Sequence, residues 1–103
     1  MNKDSQEFKK MIYELMNGFI TDEAAAMSDV LGVHNEFKKG KMFECSERLY
    51  GAKDRVYDKL GVDDDPDIEI MLDCFEKITE ELCYKMYDYG MKFAKEQLAE
   101  EQS

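Results

Sequence analysis

The chain has 103 residues, of which 44% are apolar and 37% are charged. A chain of this length can bury a core without help from a metal or a disulfide, so we expect one domain spanning residues 1–103. Its 24 acidic and 14 basic residues leave a net charge of −10. That charge disfavours direct contact with nucleic acid or an anionic membrane and favours a basic protein partner.

The N-terminal segment and the hydropathy of the chain indicate where the protein is located. The segment from Met1 to Glu7 lacks the apolar core of a signal peptide, and no window approaches the roughly 20 apolar residues of a membrane span. We therefore expect a cytoplasmic protein, and in size and composition the chain resembles small helical proteins of bacteria.

An odd number of cysteines without a Cys-x-x-Cys pair favours buried thiols over disulfides or a zinc site. These cysteines are Cys45, Cys74 and Cys83.

Apolar residues at intervals of three and four predict a first amphipathic helix. Asp4 or Ser5 can cap its start, where the negative charge of Glu7 is favourable. Asn17 and Gly18 form a plausible stop. The apolar face comprises Phe8, Met11, Ile12, Leu15, Met16 and Phe19.

The next segment predicts a second helix, with one alternative left open. Thr21, followed by two acidic residues, suits a helix start, and the helix would end near Gly40. One side of it would carry Ala24, Met27, Val30 or Leu31, His34 and Phe37. Alternatively, residues 31–33 close a short helix at Gly32, and Asn35 begins the next.

Part of this segment, Met27-Ser28-Asp29-Val30-Leu31-Gly32-Val33, is similar to the first helix and turn of helix-turn-helix DNA-binding domains. That resemblance implies a recognition helix, but Lys38 falls where such a helix buries an apolar side chain. Lys38, Lys39 and Lys41 would be the only cations for phosphates on a strongly acidic chain. Ordinary helix packing explains the same residues, so DNA binding is a weaker hypothesis.

A third helix is predicted from about Lys41 to Leu60. Gly51 inside it weakens it by about 1 kcal/mol relative to alanine, which indicates a bend or a close approach of two backbones. The sequence Leu60-Gly61-Val62 is typical of a Schellman stop. Its apolar face comprises Met42, Cys45, Leu49, Ala52, Val56 and Leu60.

The most informative prediction is one long helix from Pro66 to about Leu98. Three aspartates precede Pro66, which suits the first helical turn because its missing N–H would have no partner there. At about 1.5 Å per residue the helix would be roughly 50 Å long, so the other helices must cover it. Its predicted core stripe follows a seven-residue rhythm through Ile68, Leu72, Phe75, Thr79, Leu82, Met86, Tyr89 and Phe93. The sequence thus predicts an all-α fold, an antiparallel bundle of about four helices with a long C-terminal helix.

No pattern predicts a metal site, a cofactor site or a catalytic residue. Asp63, Asp65 and Asp67 have the spacing of an EF-hand loop, but Ile68 replaces its glycine and Cys74 its final carboxylate. Helix capping explains the same aspartates. A single histidine excludes a carboxylate-bridged di-metal bundle, and no nucleophile has a base and an orienting group beside it.

A second row on the long helix, away from the core stripe, is the candidate partner surface. It is acidic in its first half and aromatic or apolar in its second. The row comprises Glu69, Asp73, Glu76, Glu80, Tyr84, Tyr87, Met91 and Leu98. Two interpretations are open. In one, solvent surrounds the acidic half and the first or second helix covers the other half. In the other, the row binds a partner, most simply a second copy of the chain through residues 84–98.

These patterns favour a small acidic interaction or adaptor protein without catalytic activity, forming a homodimer through its C-terminal helix. The alternative is an acidic inhibitor that imitates nucleic acid, with the carboxylate row in the basic groove of a nucleic-acid-binding protein. A helix-turn-helix-like DNA-binding protein is a weaker alternative, and an enzyme is disfavoured.

Overall fold

The computed structural model describes residues 2–20, 22–27, 33 and 40–102. In this part of the chain the regular secondary structure is helical and contains no strand, which confirms the all-α class. The helices are α1 (Gln6–Met16), the single turn α2 (Asp22–Ala25), α3 (Lys41–Leu60) and α4 (Pro66–Gln102). The predicted long C-terminal helix is therefore confirmed as one unbroken element.

The predicted second helix lies mostly outside the described residues. So do His34 and the central residues 28–32 of the segment that resembles a helix-turn-helix. The count of about four helices consequently stays a prediction.

Helix α1 begins and ends where its sequence predicts. The Ser5 hydroxyl accepts a hydrogen bond from the Phe8 amide at 3.1 Å, which caps the first turn. Gly18 has a φ of 90°, and the Phe19 amide donates to the Glu14 carbonyl at 2.9 Å. This is a Schellman stop, and it leaves Phe19 itself 66% exposed, beyond the buried face of the helix.

The turn between α3 and α4 also follows its sequence signals. Gly61 has a φ of 69°, and the Val62 amide donates to the Tyr57 carbonyl at 3.1 Å, completing the predicted Schellman motif. One carboxylate oxygen of Asp65 then accepts from the amides two and three residues later, at 3.0 and 3.1 Å. Asp65 therefore caps α4, in agreement with the capping interpretation of the acidic turn.

The core of the described residues is small and lies around α1. Leu15 is completely buried, and α1 runs antiparallel to the C-terminal half of α4. The cluster consists of Phe8, Met11, Leu15 and Ala24, surrounded by the half-buried side chains of Ile12, Met27, Val33 and Tyr87. A cluster of this size cannot cover a helix as long as α4.

The molecule is correspondingly elongated. Its radius of gyration is 17.8 Å and its longest dimension is 64 Å, whereas a compact domain of this length has a radius of about 13 Å. Helix α3 reaches α4 at one corner, where Lys53 and Tyr57 bind Glu69. Neither α1 nor α3 therefore packs along the whole of α4.

The predicted core stripe of α4 is accordingly wrong within the subunit. Ile68 and Leu72 are half-buried. The stripe residues that are more than half exposed are Phe75, Leu82, Met86, Tyr89 and Phe93. The physical reason is that α1 packs against the other side of α4, through the tyrosines of the second row.

The prediction of three buried thiols is also wrong. Cys45 and Cys74 are exposed, and Cys83 is half-buried. Cys45 belongs to the apolar face of α3, which also remains largely open at Met42, Leu49, Val56 and Leu60. The cysteines follow the apolar patterns, but those patterns are not covered in the described part of the subunit.

Across the described ranges, no helix combines the length and the apolar character needed to cross a membrane.

Candidate docking surface on the C-terminal helix

One face of α4 is held by α1 through aromatic contacts. Tyr84 is 8% exposed and meets Tyr13 edge to face, with 5.8 Å between the ring centroids. Phe8 and Tyr87 lie 6.4 Å apart, and the Tyr87 hydroxyl donates to the Lys3 carbonyl at 2.7 Å. Such pairs add about 0.5–1.5 kcal/mol each beyond their buried area, so this is a specific contact.

Two ion pairs set the register of α1 on α4. Lys9 contacts Asp88 at 2.8 Å, and Asp4 contacts Lys95 at 2.9 Å. The Lys9 ammonium also lies 5.9 Å from the centre of the Tyr84 ring, in cation–π range. Asp4, just before α1, meets Lys95, whereas Lys9 within α1 meets the earlier residue Asp88, so the two helices are antiparallel.

These contacts correct the second half of the predicted partner surface. Tyr84 and Tyr87 pack on α1 of their own chain, which fits the interpretation that the first helix covers this half of the row, so these two side chains are engaged within the subunit. Met91 on the same side is half-buried. Leu98, 54% exposed, lies farther along α4.

Glu69, the first residue of the acidic half, is engaged by α3. Its carboxylate accepts from the Tyr57 hydroxyl at 2.6 Å and pairs with the Lys53 ammonium at 2.8 Å. The hydrogen bond from Lys53, followed by that from Tyr57, lowers the pKa of Glu69. Glu69 therefore serves first to hold the α3–α4 corner.

The rest of the acidic half is partly engaged as well. Asp73 pairs with Lys77 one turn later at 3.2 Å, and Glu80 accepts from the Tyr84 hydroxyl at 2.7 Å. Glu76 is exposed. The row therefore does not present four uncommitted carboxylates.

One face of α4 carries large apolar side chains that stay exposed in the described part of the chain, and we call this face the uncovered stripe. Every one of its side chains is more than half exposed. The stripe comprises Met71, Phe75, Ile78, Leu82, Met86, Tyr89 and Phe93. At about 100° of rotation per residue, its centre lies roughly 170° around the helix from the face that contacts α1.

Sequence reasoning found five of these seven residues but missed Met71 and Ile78. The seven-residue rhythm placed Leu72 and Thr79 in their stead. The signal that finds them is an eleven-residue repeat, in which Met71, Leu82 and Phe93 are equivalent.

The middle of the uncovered stripe has the anatomy of a protein interface. Ile78 and Leu82 lie in a shallow surface depression that is bordered by Lys77, Glu81 and Lys85. Apolar side chains at the centre with charges at the edge are typical of surfaces that bind other proteins.

No protein-family model matches the chain, and the comparisons with curated proteins and with solved structures give no match. The described residues also contain no group of three or more His, Cys, Asp or Glu side chains placed to hold a metal ion. The geometry of α4 is therefore the basis for a functional proposal.

The raised pKa values of the tyrosines between α1 and α4 predict that the folded protein loses stability at alkaline pH. Burial is the main cause that raises the pKa of Tyr13, Tyr84 and Tyr87 above the usual value of 10.0, and the hydrogen bond to Glu80 raises that of Tyr84 further. Above about pH 10 the unfolded chain loses phenolic protons that the folded chain retains, so the free energy of unfolding should fall as pH rises.

Urea unfolding at pH 8 and pH 10.5 measures this effect. We expect a lower urea midpoint at pH 10.5, and a smaller drop in the Tyr84→Phe variant. Equal midpoints at the two pH values, or an identical drop in the variant, would contradict the assignment.

Proposed function

We propose that this protein is a small, acidic, helical interaction protein of the cytoplasm, without catalytic activity, that binds protein chains through the uncovered stripe of α4. One observation carries the proposal: seven large apolar side chains, each more than half exposed, lie along one face. The stripe is about 33 Å long at 1.5 Å per residue. Continuous apolar surface of this kind is rare on monomeric soluble proteins and marks interaction sites.

The arrangement of the helices supports the same proposal. Helix α1 holds one side of α4 through Tyr84, Tyr87 and Asp88, and among the described residues the apolar side chains on the opposite side stay exposed, where another helix can dock. An amphipathic helix docks well on such a face because its ridges of side chains fit into the grooves of α4. Helix α1 thus stabilises α4, and α4 binds the partner protein.

Self-association is part of the proposal. Two copies of α1 and α4 joined through the uncovered stripe would form a layer of four helices, because α1 lies on the opposite side of each α4. The predicted homodimer through the C-terminal helix is thereby kept, but on the face opposite Tyr84 and Tyr87.

The nucleic-acid-mimic hypothesis has less support. It requires Glu69, Asp73, Glu76 and Glu80 to face a basic partner, yet Glu69 and Asp73 are each paired with a lysine of the same chain. An ion pair reduces the charge that a carboxylate offers to a distant groove. We therefore do not adopt this alternative.

Photo-crosslinking tests the proposed function. Two variants each carry one benzophenone amino acid. In the first it replaces Met86, which lies in the uncovered stripe. In the second it replaces Asp73, which lies on the side of α4 nearer α1. In native host cells we expect protein adducts, with a second copy or with another protein, from position 86 and far fewer from position 73. Equal or absent adducts at the two positions would overturn the proposal.

A further inference from the structure

The spacing within the uncovered stripe is symmetric. From Met71 to Phe93 the steps between successive stripe residues are four, three, four, four, three and four, with Leu82 at the centre. A two-fold axis through Leu82 therefore places Met71 opposite Phe93 of a second copy and Phe75 opposite its Tyr89. Each large side chain of the stripe then meets another one.

We infer that the occupant of the uncovered stripe is a second copy of this chain, bound antiparallel about a two-fold axis at Leu82. The inference rests on the proposed function, because it fixes the orientation and the register in which a second copy binds the same surface. A closed two-fold arrangement uses the same patch on both copies and leaves no stripe open at either end. An eleven-residue repeat also suits nearly straight helices, since its 3.67 residues per turn are close to the 3.6 of an unstrained helix.

Charge selects the antiparallel orientation over the parallel one. Residues 71–81 contain four carboxylates and one lysine, whereas residues 83–93 contain one carboxylate and two lysines. Parallel pairing would place the acidic halves side by side, but antiparallel pairing places each acidic half beside a weakly basic one. In the antiparallel pair, Lys85 of one copy and Glu81 of the other are about two residues apart along the helix axis, which is roughly 3 Å.

The area is sufficient for a stable dimer. Every side chain of the stripe is more than half exposed. Aromatic side chains bury roughly 150–250 Å² each when fully covered, and the stripe has three of them beside four aliphatic ones, so two stripes together can bury on the order of 1,000–1,500 Å². That overlaps the range of about 1,200–2,000 Å² typical of specific interfaces.

Helix α3 of the same chain is held elsewhere. It contacts α4 through Glu69, which lies about 140° around the helix from the centre of the uncovered stripe. Covering the stripe with α3 would require breaking the contacts of Glu69 with Lys53 and Tyr57. A second copy requires no such change.

The register is also defined. If the helices paired instead by the seven-residue rhythm of the predicted core stripe, the two-fold axis would lie one and a half residues before Leu82. Thr79 of one copy would then face Leu82 of the other. With the axis at Leu82, the contact positions include the exposed Met71 and Ile78 in place of the half-buried Leu72 and the polar Thr79, so this register buries more apolar surface.

Disulfide trapping tests the inference. The native cysteines are first replaced by serine in every variant, at Cys45, Cys74 and Cys83. Phe75→Cys and Tyr89→Cys chains of different mass are then oxidised separately and as a mixture. We expect the mixture to form mainly the mixed dimer, because Phe75 faces Tyr89 across the axis, and each variant alone to cross-link poorly.

Three results would overturn the inference. Efficient cross-linking of Phe75→Cys with itself indicates parallel helices. A stronger cross-link between Phe75→Cys and Met86→Cys indicates the other register. No cross-link, together with a monomeric mass, excludes self-association; adducts at position 86 in the photo-crosslinking experiment then decide separately whether the docking function stands.

Discussion

Replacing Leu82 with glutamate is expected to convert the proposed dimer into monomers. Leu82 lies at the centre of the uncovered stripe and is 62% exposed in the single chain. Because the proposed axis passes through it, the substitution places two carboxylates against each other where two leucines pack. Burying an unpaired charge costs several kcal/mol, so the dissociation constant should rise at least about 100-fold.

Ile70→Glu is the matched control. Ile70 is 59% exposed on the same helix but lies about 120° around it from the centre of the stripe. Both variants add one carboxylate to α4, and glutamate is about as good a helix former as leucine and better than isoleucine, so neither substitution disrupts the helix. Light scattering after size exclusion should show a monomer for Leu82→Glu and a dimer for Ile70→Glu. Dissociation of both variants, or of neither, would be inconsistent with the proposed interface.

Leu15→Ala should have the largest effect on the fold. Leu15 is completely buried on α1, in the cluster that joins α1 to α4. Removing a buried leucine side chain typically costs 2–5 kcal/mol, from lost transfer energy and the cavity left behind. Domains are stable by only about 5–15 kcal/mol, so this single change should remove a large share of the total.

Leu49→Ala provides the comparison, because it deletes the same atoms from a side chain of α3 that is 46% exposed. We expect a loss of at most about 1 kcal/mol there, since less apolar surface returns to water. Urea unfolding followed by circular dichroism, at one fixed protein concentration, measures both variants. Similar losses at the two positions would show that Leu15 is not at the centre of the core.

The local features of the fold could be predicted because they depend on a few neighbouring residues. Gly18 and Gly61 adopt the positive φ that the helix stops require, and Ser5 and Asp65 supply the caps. Pro66 likewise begins α4 at its first turn. Each of these signals has a stereochemical cause that acts within one or two turns.

The choice of face could not be predicted in the same way. Helix α4 has apolar or aromatic side chains on two sides, one through Tyr84 and Tyr87 and the other through Leu82 and Met86. Periodicity shows that both sides exist but not which side α1 covers, since that depends on long-range contacts such as Lys9 with Asp88. Periodicity therefore predicted the long helix correctly, but it assigned the core stripe to the side whose residues are mostly exposed.

The most direct test of self-association through the uncovered stripe is sedimentation equilibrium of the unmodified chain over a range of concentrations. The chain has a mass of 12.1 kDa. We predict a mass of about 24 kDa at micromolar concentration, with dissociation on dilution, as expected for an interface of standard size. A mass of 12.1 kDa at every concentration would contradict the dimer.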